Sequence, residues 1–184
     1  MRSSRTFVYV VILAISFAAA CSDRGSKAPD VSDNIRRALD QAGLKDVKVS
    51  QDRDKGVVRL TGTAPSQGDK DQAESVARSI AEPQTVSNEI SVRPSGEESS
   101  ARKVDSDLDK GIDNNLEAML IQHKLNHDVR YDVNNSVVTL KGTVSSEQKR
   151  TSAEKLAAQV PNVKQVVNEI EVKGQKATST ENSR

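Results

Sequence analysis

Residues 56–92, GVVRLTGTAPSQGDKDQAESVARSIAEPQTVSNEISV, recur 80 positions later as SVVTLKGTVSSEQKRTSAEKLAAQVPNVKQVVNEIEV at residues 136–172. The two copies align without a gap and share a Val-Val pair, a Gly-Thr pair and an Asn-Glu-Ile triplet. An internal repeat indicates two copies of one small structural unit rather than one large domain. Since the shared residues contain no catalytic set, the repeat favours binding over catalysis.

The apolar spacing predicts the same order of elements, α-β-β-α-β, in both units. Each unit opens with an amphipathic helix, which in the second unit spans about residues 108–125. Two strands with alternating valines form a hairpin, and a helix capped by Ser66 or Ser145 leads to the third strand. A right-handed crossover places this strand parallel to the second. The predicted fold class is α+β: two tandem small α-β-β-α-β sandwiches, each a three-stranded mixed sheet covered by two helices.

The N-terminus is typical of a secretory signal peptide. Arg2 and Arg5 precede an apolar run, residues 7–17, that is too short to anchor a protein across a bilayer. Residues 18–21, Ala-Ala-Ala-Cys, resemble the bacterial lipobox, with Ala where Leu is usual. Cys21 is the chain's single cysteine and is the predicted lipidation site. The alternative is ordinary cleavage near the alanines, which leaves a free thiol.

These patterns divide the chain into six segments. The composition changes from apolar to polar after the leader, and polar stretches with Gly, Pro and Ser separate and follow the two repeats. The predicted segments are a signal peptide (1–20), a lipidated cysteine with a flexible tether (21–30), a first module (31–92), a linker (93–105), a second module (106–172) and a disordered tail (173–184).

Two motifs, each present twice, resemble the BON domain. They are V-V-x-L-x-G-T before the second helix of each unit and V-x-N-E-I-x-V in the last strand. The resemblance covers residues 31–92 and 107–172. It implies modules that bind phospholipid surfaces or hydrophobic ligands. The order of lipobox and two modules is similar to dual-BON-domain lipoproteins that support envelope integrity, and Ser22 after the cysteine favours the periplasmic face of the outer membrane.

The resemblance also implies a site of lipid contact. In these relatives the first helix of the second module, here about residues 108–125, is the element to which lipid contact is attributed. Ile121 lies opposite the core stripe of this helix, and Lys110 and Lys124 fall on the same outer side. Ile121 would then enter the membrane interface while the two lysines meet headgroup phosphates. An exposed isoleucine without any function is equally compatible with the sequence.

A second function from a different class remains open. The modules could serve as a protein-interaction adaptor that docks on other envelope proteins, with the lipid anchor only setting the location. Binding of the lipid-free protein to vesicles separates the two hypotheses.

The other repeated polar and glycine positions favour structural roles. Gly62 and Gly142 stand at the predicted corner between second strand and second helix, where a turn with positive φ needs glycine. The recurring Asn-Glu pairs could bind a ligand, but a side chain that fixes a bend in the strand is the simpler interpretation. These pairs are Asn88-Glu89 and Asn168-Glu169.

Several functional classes find no support in the sequence. His123 and His127 share a helical spacing, but a metal site needs a third ligand and the helix is expected to end near Leu125. No catalytic motif or cofactor-binding loop stands out, so neither an enzyme nor a cofactor is predicted. Nucleic acid is not an expected partner, because the modules carry nine and eight Lys and Arg against ten Asp and Glu each.

Overall fold

The computed structural model describes residues 27–174 and 180–183, the last four by their backbone. The predicted signal peptide, Cys21 and most of the tether lie outside the described residues. The first module comprises α1 (Ser32–Gln41), β1 (Val47–Asp52), β2 (Val57–Ala64), α2 (Gln67–Ala81), β3 (Thr85–Asn88) and β4 (Ser91–Val92). The second comprises α3 (Glu98–Gln122), β5 (Val129–Asn134), β6 (Val137–Val144), α4 (Glu147–Gln159), β7 (Gln165–Asn168), β8 (Glu171–Val172) and β9 (Thr180–Ser183).

The strand pairing of the two modules confirms the predicted fold class. β1 pairs antiparallel with β2, and both β3 and β4 pair parallel with β2. The second module repeats this arrangement with β5 to β8. The third predicted strand of each module therefore exists in two short pieces, interrupted at the Asn-Glu-Ile triplet.

Each module has its own aliphatic core between one face of its sheet and its two helices. Leu60 and Leu140 are fully buried at matching positions of β2 and β6, and Ala73 and Ala153 lie where the second helix contacts the sheet. Small residues there let helix and sheet approach closely. Burial of branched aliphatic side chains, each contributing about 1.5–3 kcal/mol, stabilises a module that has almost no aromatic residues.

The predicted linker is helical over most of its length. Residues 98–105 form the first two turns of α3, which runs for 25 residues. The segment lacks apolar periodicity because it projects beyond the core, yet Ala, Arg, Lys and Glu are good helix formers and adding a turn to an existing helix costs little. Asp105 also accepts a hydrogen bond from the hydroxyl of Ser91 and lies 3.9 Å from the guanidinium of Arg93.

Within the tail, which was predicted to be disordered over 173–184, four residues form a short strand. The backbone of residues 180–183 pairs antiparallel with β7, so that Gln165 lies opposite Ser183 and Asn168 opposite Thr180. The free edge of β7 presents unpaired N–H and C=O groups, and these can pair with an extended segment whatever its side chains are.

The two predicted turn glycines lie inside strands rather than at strand-to-helix corners. Gly62 has φ +100° and faces Val47 across the hairpin, and Gly142 has φ +126° and faces Val129. A Cβ atom at these positions would stand 2.1 and 2.2 Å from the carbonyl oxygens of residues 46 and 128. Both backbone conformation and close strand approach therefore require glycine.

Candidate functional site

The outer face of α3 carries the residues that the sequence singled out for lipid contact. Ile121 is 52% exposed, and Lys110 and Lys124 are exposed as well. The opposite face packs into the core of the second module through three buried residues, Ile112, Leu116 and Leu120.

The structure brings two of these three residues together. The N–H of Lys124 donates to the carbonyl of Ile121 at 3.0 Å, so the two lie within one turn. Lys110 lies 11 residues earlier, about 16 Å along the helix axis and within about 20° of the same direction. All three can therefore face one flat surface, although Lys110 does not touch the other two.

The end of α3 differs from the matching end of α1 at three positions, two of which belong to the predicted contact face. The last turn of each helix closes with a matching hydrogen bond. In the first module the Gly43 N–H donates to the Asp40 carbonyl, and in the second the Lys124 N–H donates to the Ile121 carbonyl. Ile121 thus occupies the position of Asp40, and Lys124 that of Gly43. Lys124 has φ +57°, a left-handed conformation that costs a non-glycine residue about 1 kcal/mol. The second module therefore places an apolar and a basic side chain where the first has an acid and a glycine.

α3 carries a further exposed apolar residue that was not predicted from the sequence. Val104 is 57% exposed and lies in the helical turns that were predicted to be a linker. Among the described residues, Val104 and Ile121 are the large hydrophobic side chains that stand exposed, and both belong to α3.

The two histidines do not form a site. α3 ends at Gln122, so His123 lies at its C-terminal cap and His127 beyond it, and both are exposed. In the part of the chain that the structure describes, no group of three or more His, Cys, Asp or Glu side chains is placed to hold a metal ion.

The two modules contact each other along a seam that the sequence analysis did not predict. Val57 of β2 packs against Val137 and Val167 of the second module. Beside them the side-chain amide of Gln165 bonds twice to the edge of β3. Its Nε2 donates to the Val86 carbonyl at 2.7 Å, and its Oε1 accepts the Asn88 N–H at 3.0 Å. The side chain of Gln165 thereby hydrogen-bonds to the backbone at the edge of β3, as a neighbouring strand would.

A buried ionic group spans the same seam. The guanidinium of Arg59 lies 3.2 Å from Glu89 of its own module and 3.5 Å from Glu169 of the other. Burial raises the pKa of Glu89, while Arg59 and the hydroxyl of Ser87 act in the opposite direction. The repeated glutamates thus hold one arginine between the modules.

The repeated asparagines fix the interruption of the third strand. Asn88 Nδ2 donates to Glu74 on α2 at 2.7 Å, and its Oδ1 accepts the N–H of Ile90 at 3.3 Å. Asn168 makes the same pair of contacts, with Glu154 and Ile170. This geometry agrees with the structural interpretation of the Asn-Glu pairs and leaves the asparagine amides engaged within the protein.

Comparison with known proteins now decides the family. A family model described as BON domain matches residues 28–94 and again residues 105–174. The chain belongs to the BON domain family. The first match contains every helix and strand of the first module, and the second contains those of the second module except β9 and the first turns of α3. The matches confirm the resemblance predicted from the repeated motifs.

Two individual proteins are similar to this BON-domain chain. Osmotically-inducible protein Y of Escherichia coli (strain K12) is 28% identical over 144 residues, which cover 78% of this chain and 71% of that protein. The C-terminal domain of CdsD, described as the structural protein of the type III secretion system of Chlamydia trachomatis, has a TM-score of 0.32 and 12% identity. The match covers 80% of this chain and 99% of that one.

The four helices of the two BON domains are 10 to 25 residues long. Among residues 27–174 and 180–183, no helix combines the length and the apolar character needed to cross a bilayer.

Proposed function

We propose that this protein is a lipid-anchored envelope protein whose tandem BON domains bind phospholipid membrane surfaces and support envelope integrity under stress. The anchor is the lipidated Cys21, and the protein resides at the periplasmic face of the outer membrane. The observation that carries the proposal is the outer face of α3, where exposed Ile121 is accompanied by Lys124 and Lys110.

The difference between the two modules supports this assignment. An apolar side chain beside lysines suits the boundary between acyl chains and headgroups, because the isoleucine loses contact with water while the ammonium groups meet phosphate. Lys124 holds a backbone conformation that would be easier for glycine, which the first module has there. Strain at an exposed position is expected where the side chain has a role of its own.

The relative with a functional name supports the physiological part of the proposal. Osmotically-inducible protein Y aligns with 78% of this chain, and its name records induction by osmotic stress. A tether of nine residues after Cys21 extends at most about 30 Å, so an acylated protein would hold its first module close to the lipid surface. The anchor then raises the local concentration of α3 at the membrane, and a weak contact is sufficient.

Replacement of Cys21 by serine tests the anchor. The hydroxyl cannot replace the thiol in lipid transfer, so acyl labelling should disappear and the protein should leave the membrane fraction. Metabolic labelling with a fatty-acid analogue, followed by fractionation, measures both results. Acyl labelling that persists in the Cys21→Ser protein would exclude lipidation at this residue.

Replacement of Ile121 by aspartate tests the contact face. The change removes about 1.5–3 kcal/mol of apolar burial and adds a charge that anionic lipid repels, so vesicle affinity should fall at least about tenfold. The fold should persist, since Asp40 occupies the same position in the first module. Co-sedimentation of residues 22–184 with vesicles containing phosphatidylglycerol measures the loss, with circular dichroism as a check of folding.

Lys124→Gly provides a second variant, in which a loss of vesicle binding could not be explained by unfolding. Glycine relieves the left-handed backbone strain and should stabilise the protein, yet it removes a headgroup contact and should weaken vesicle binding. Asp40→Ile in the first module is the matched control and should not weaken binding. Equal vesicle affinity of wild type, Ile121→Asp and Lys124→Gly would assign the contact elsewhere.

A further inference from the structure

A small cleft of about 210 Å³ lies on the seam between the two modules. The first module contributes Gln67 and Lys70 from α2, and the second contributes Asn135, Lys164 and Gln165. Lys70 is 93% buried, and its Nζ donates to the carbonyl of Ile90 at 2.7 Å. Within the described residues no carboxylate lies at ion-pair distance from this ammonium group.

The corresponding position of the second module shows what the first one lacks. Arg150, 80 residues after Lys70, donates to the carbonyl of Ile170 at 3.1 Å and pairs with Glu147 at 3.1 Å. The residue that corresponds to Glu147 is Gln67, which carries no charge. The first module thus retains the buried cation and lacks one carboxylate that pairs with the cation in the second module.

The two acidic residues that line the cleft are engaged with other groups. Glu74 accepts Arg78 at 2.7 Å through one oxygen and Asn88 at 2.7 Å through the other. Asp71 accepts the side-chain amide of Gln67 at 2.7 Å. Neither carboxylate therefore compensates Lys70 directly. Burial, and next the charge of Lys164, lower the pKa of Lys70, as expected for a cation without a close counter-ion.

We propose that this cleft binds a small oxyanion, a phosphate or carboxylate group, between the ammonium groups of Lys70 and Lys164. The anion would take the place that Glu147 takes beside Arg150. A buried cation is stabilised strongly by a hydrogen-bonded anion, and a cleft of this volume admits a phosphate group. Because residues of both modules line the cleft, a bound anion would also stabilise the seam. Ile121, Lys110 and Lys124 are not among the residues that line the cleft, so the proposal does not depend on the proposed membrane contact.

The test is a titration of residues 22–184 with inorganic phosphate, against chloride at equal ionic strength, followed by NMR of side-chain amides. Wild type should show saturable shifts at Gln67, Asn135 and Gln165. Gln67→Glu restores the carboxylate of the second module and should weaken phosphate binding about tenfold or more, since a charge-assisted hydrogen bond is worth at least that factor. Lys164→Met should weaken it as well. Lys45→Met removes an exposed lysine outside the cleft and should leave it unchanged.

A titration with acetate in place of phosphate shows whether the cleft prefers a carboxylate or a phosphate group. Binding to vesicles shows whether the phosphate belongs to a lipid headgroup or to a soluble molecule. If Gln67→Glu also weakens binding to phosphatidylglycerol vesicles, the phosphate is that of a lipid headgroup. If only the response to inorganic phosphate is lost, the ligand is a soluble phosphate. Absence of saturable shifts with both anions, or Gln67→Glu protein that binds as tightly as wild type, would overturn the proposal. Ile121→Asp should not change the phosphate titration, so this test and that of the membrane contact fail separately.

Discussion

Replacing Arg59 by methionine is expected to lower the free energy of unfolding by about 3 kcal/mol at neutral pH, because it leaves two buried carboxylates without their cation. Glu89 and Glu169 have side chains only 4% and 6% exposed, and both depend on the same guanidinium. Methionine retains most of the aliphatic part of the arginine side chain, so the decrease in stability comes from loss of the guanidinium charge. Urea unfolding followed by circular dichroism measures the change.

The loss should depend on pH in a defined direction. The pKa of Glu89 is raised above its ordinary value of 4.5 in the folded protein, and loss of Arg59 raises that pKa further. A carboxyl group with a raised folded-state pKa destabilises the fold progressively as the pH rises through that pKa, and it ceases to do so below 4.5. The deficit of the Arg59→Met protein should therefore shrink as the pH falls from neutral toward this value.

An exposed arginine of the same module provides the control. Arg37 on α1 contacts Asn34 and a backbone carbonyl at the surface, so Arg37→Met should change stability by no more than about 0.5 kcal/mol at any pH. An Arg59→Met protein as stable as the Arg37→Met protein would show that the ionic group does not hold the seam.

Gly142→Ala and Gly111→Ala are expected to shift stability in opposite directions. At Gly142 the new Cβ would lie 2.2 Å from the carbonyl of residue 128 in a backbone with φ +126°, so the hairpin must distort. The cost should reach at least about 2 kcal/mol. Gly111 lies within α3 and has open space around it, so alanine should stabilise the helix by about 0.5–1 kcal/mol.

Thermal unfolding of the two glycine variants measures this difference. In a chain of this size 1 kcal/mol corresponds to about 2–4 °C, so Gly142→Ala should melt at least about 4 °C below wild type and Gly111→Ala above it. An unchanged melting temperature of the Gly142→Ala protein would mean that the two strands of the hairpin can move apart there without a loss of stability.

The fold within each module was predictable because it depends on local periodicity. Alternating valines on β1 and β2 and helical stripes on α2 are each satisfied inside one copy, and the repeat shows every pattern twice. The repeat also indicates the N-cap residue of α4, which the local sequence pattern did not predict correctly. Ser146, which matches Ser66, caps α4, whereas Ser145 was predicted to do so.

The seam between the modules could not be predicted in the same way. Gln165 aligns with Thr85 in the repeat, and Arg59 aligns with Thr139, so two of the polar residues that join the modules stand at positions where the copies differ. The partners of Gln165 are backbone groups 77 and 79 residues away, and such contacts leave no periodic signal in the sequence. The outer face of α3 was identifiable from helical geometry, but the sequence did not reveal that Lys124 stands in the position of Gly43.

The most direct test of the proposed function is vesicle binding by the protein without its acyl chains. Residues 22–184 carry both BON domains and lack Cys21, so the anchor cannot contribute. Co-sedimentation with vesicles containing phosphatidylglycerol should show saturable binding that weakens with salt, because lysines at the headgroups provide part of the affinity. Absence of binding, under conditions in which circular dichroism shows the folded protein, would contradict membrane recognition and leave the adaptor function as the better account.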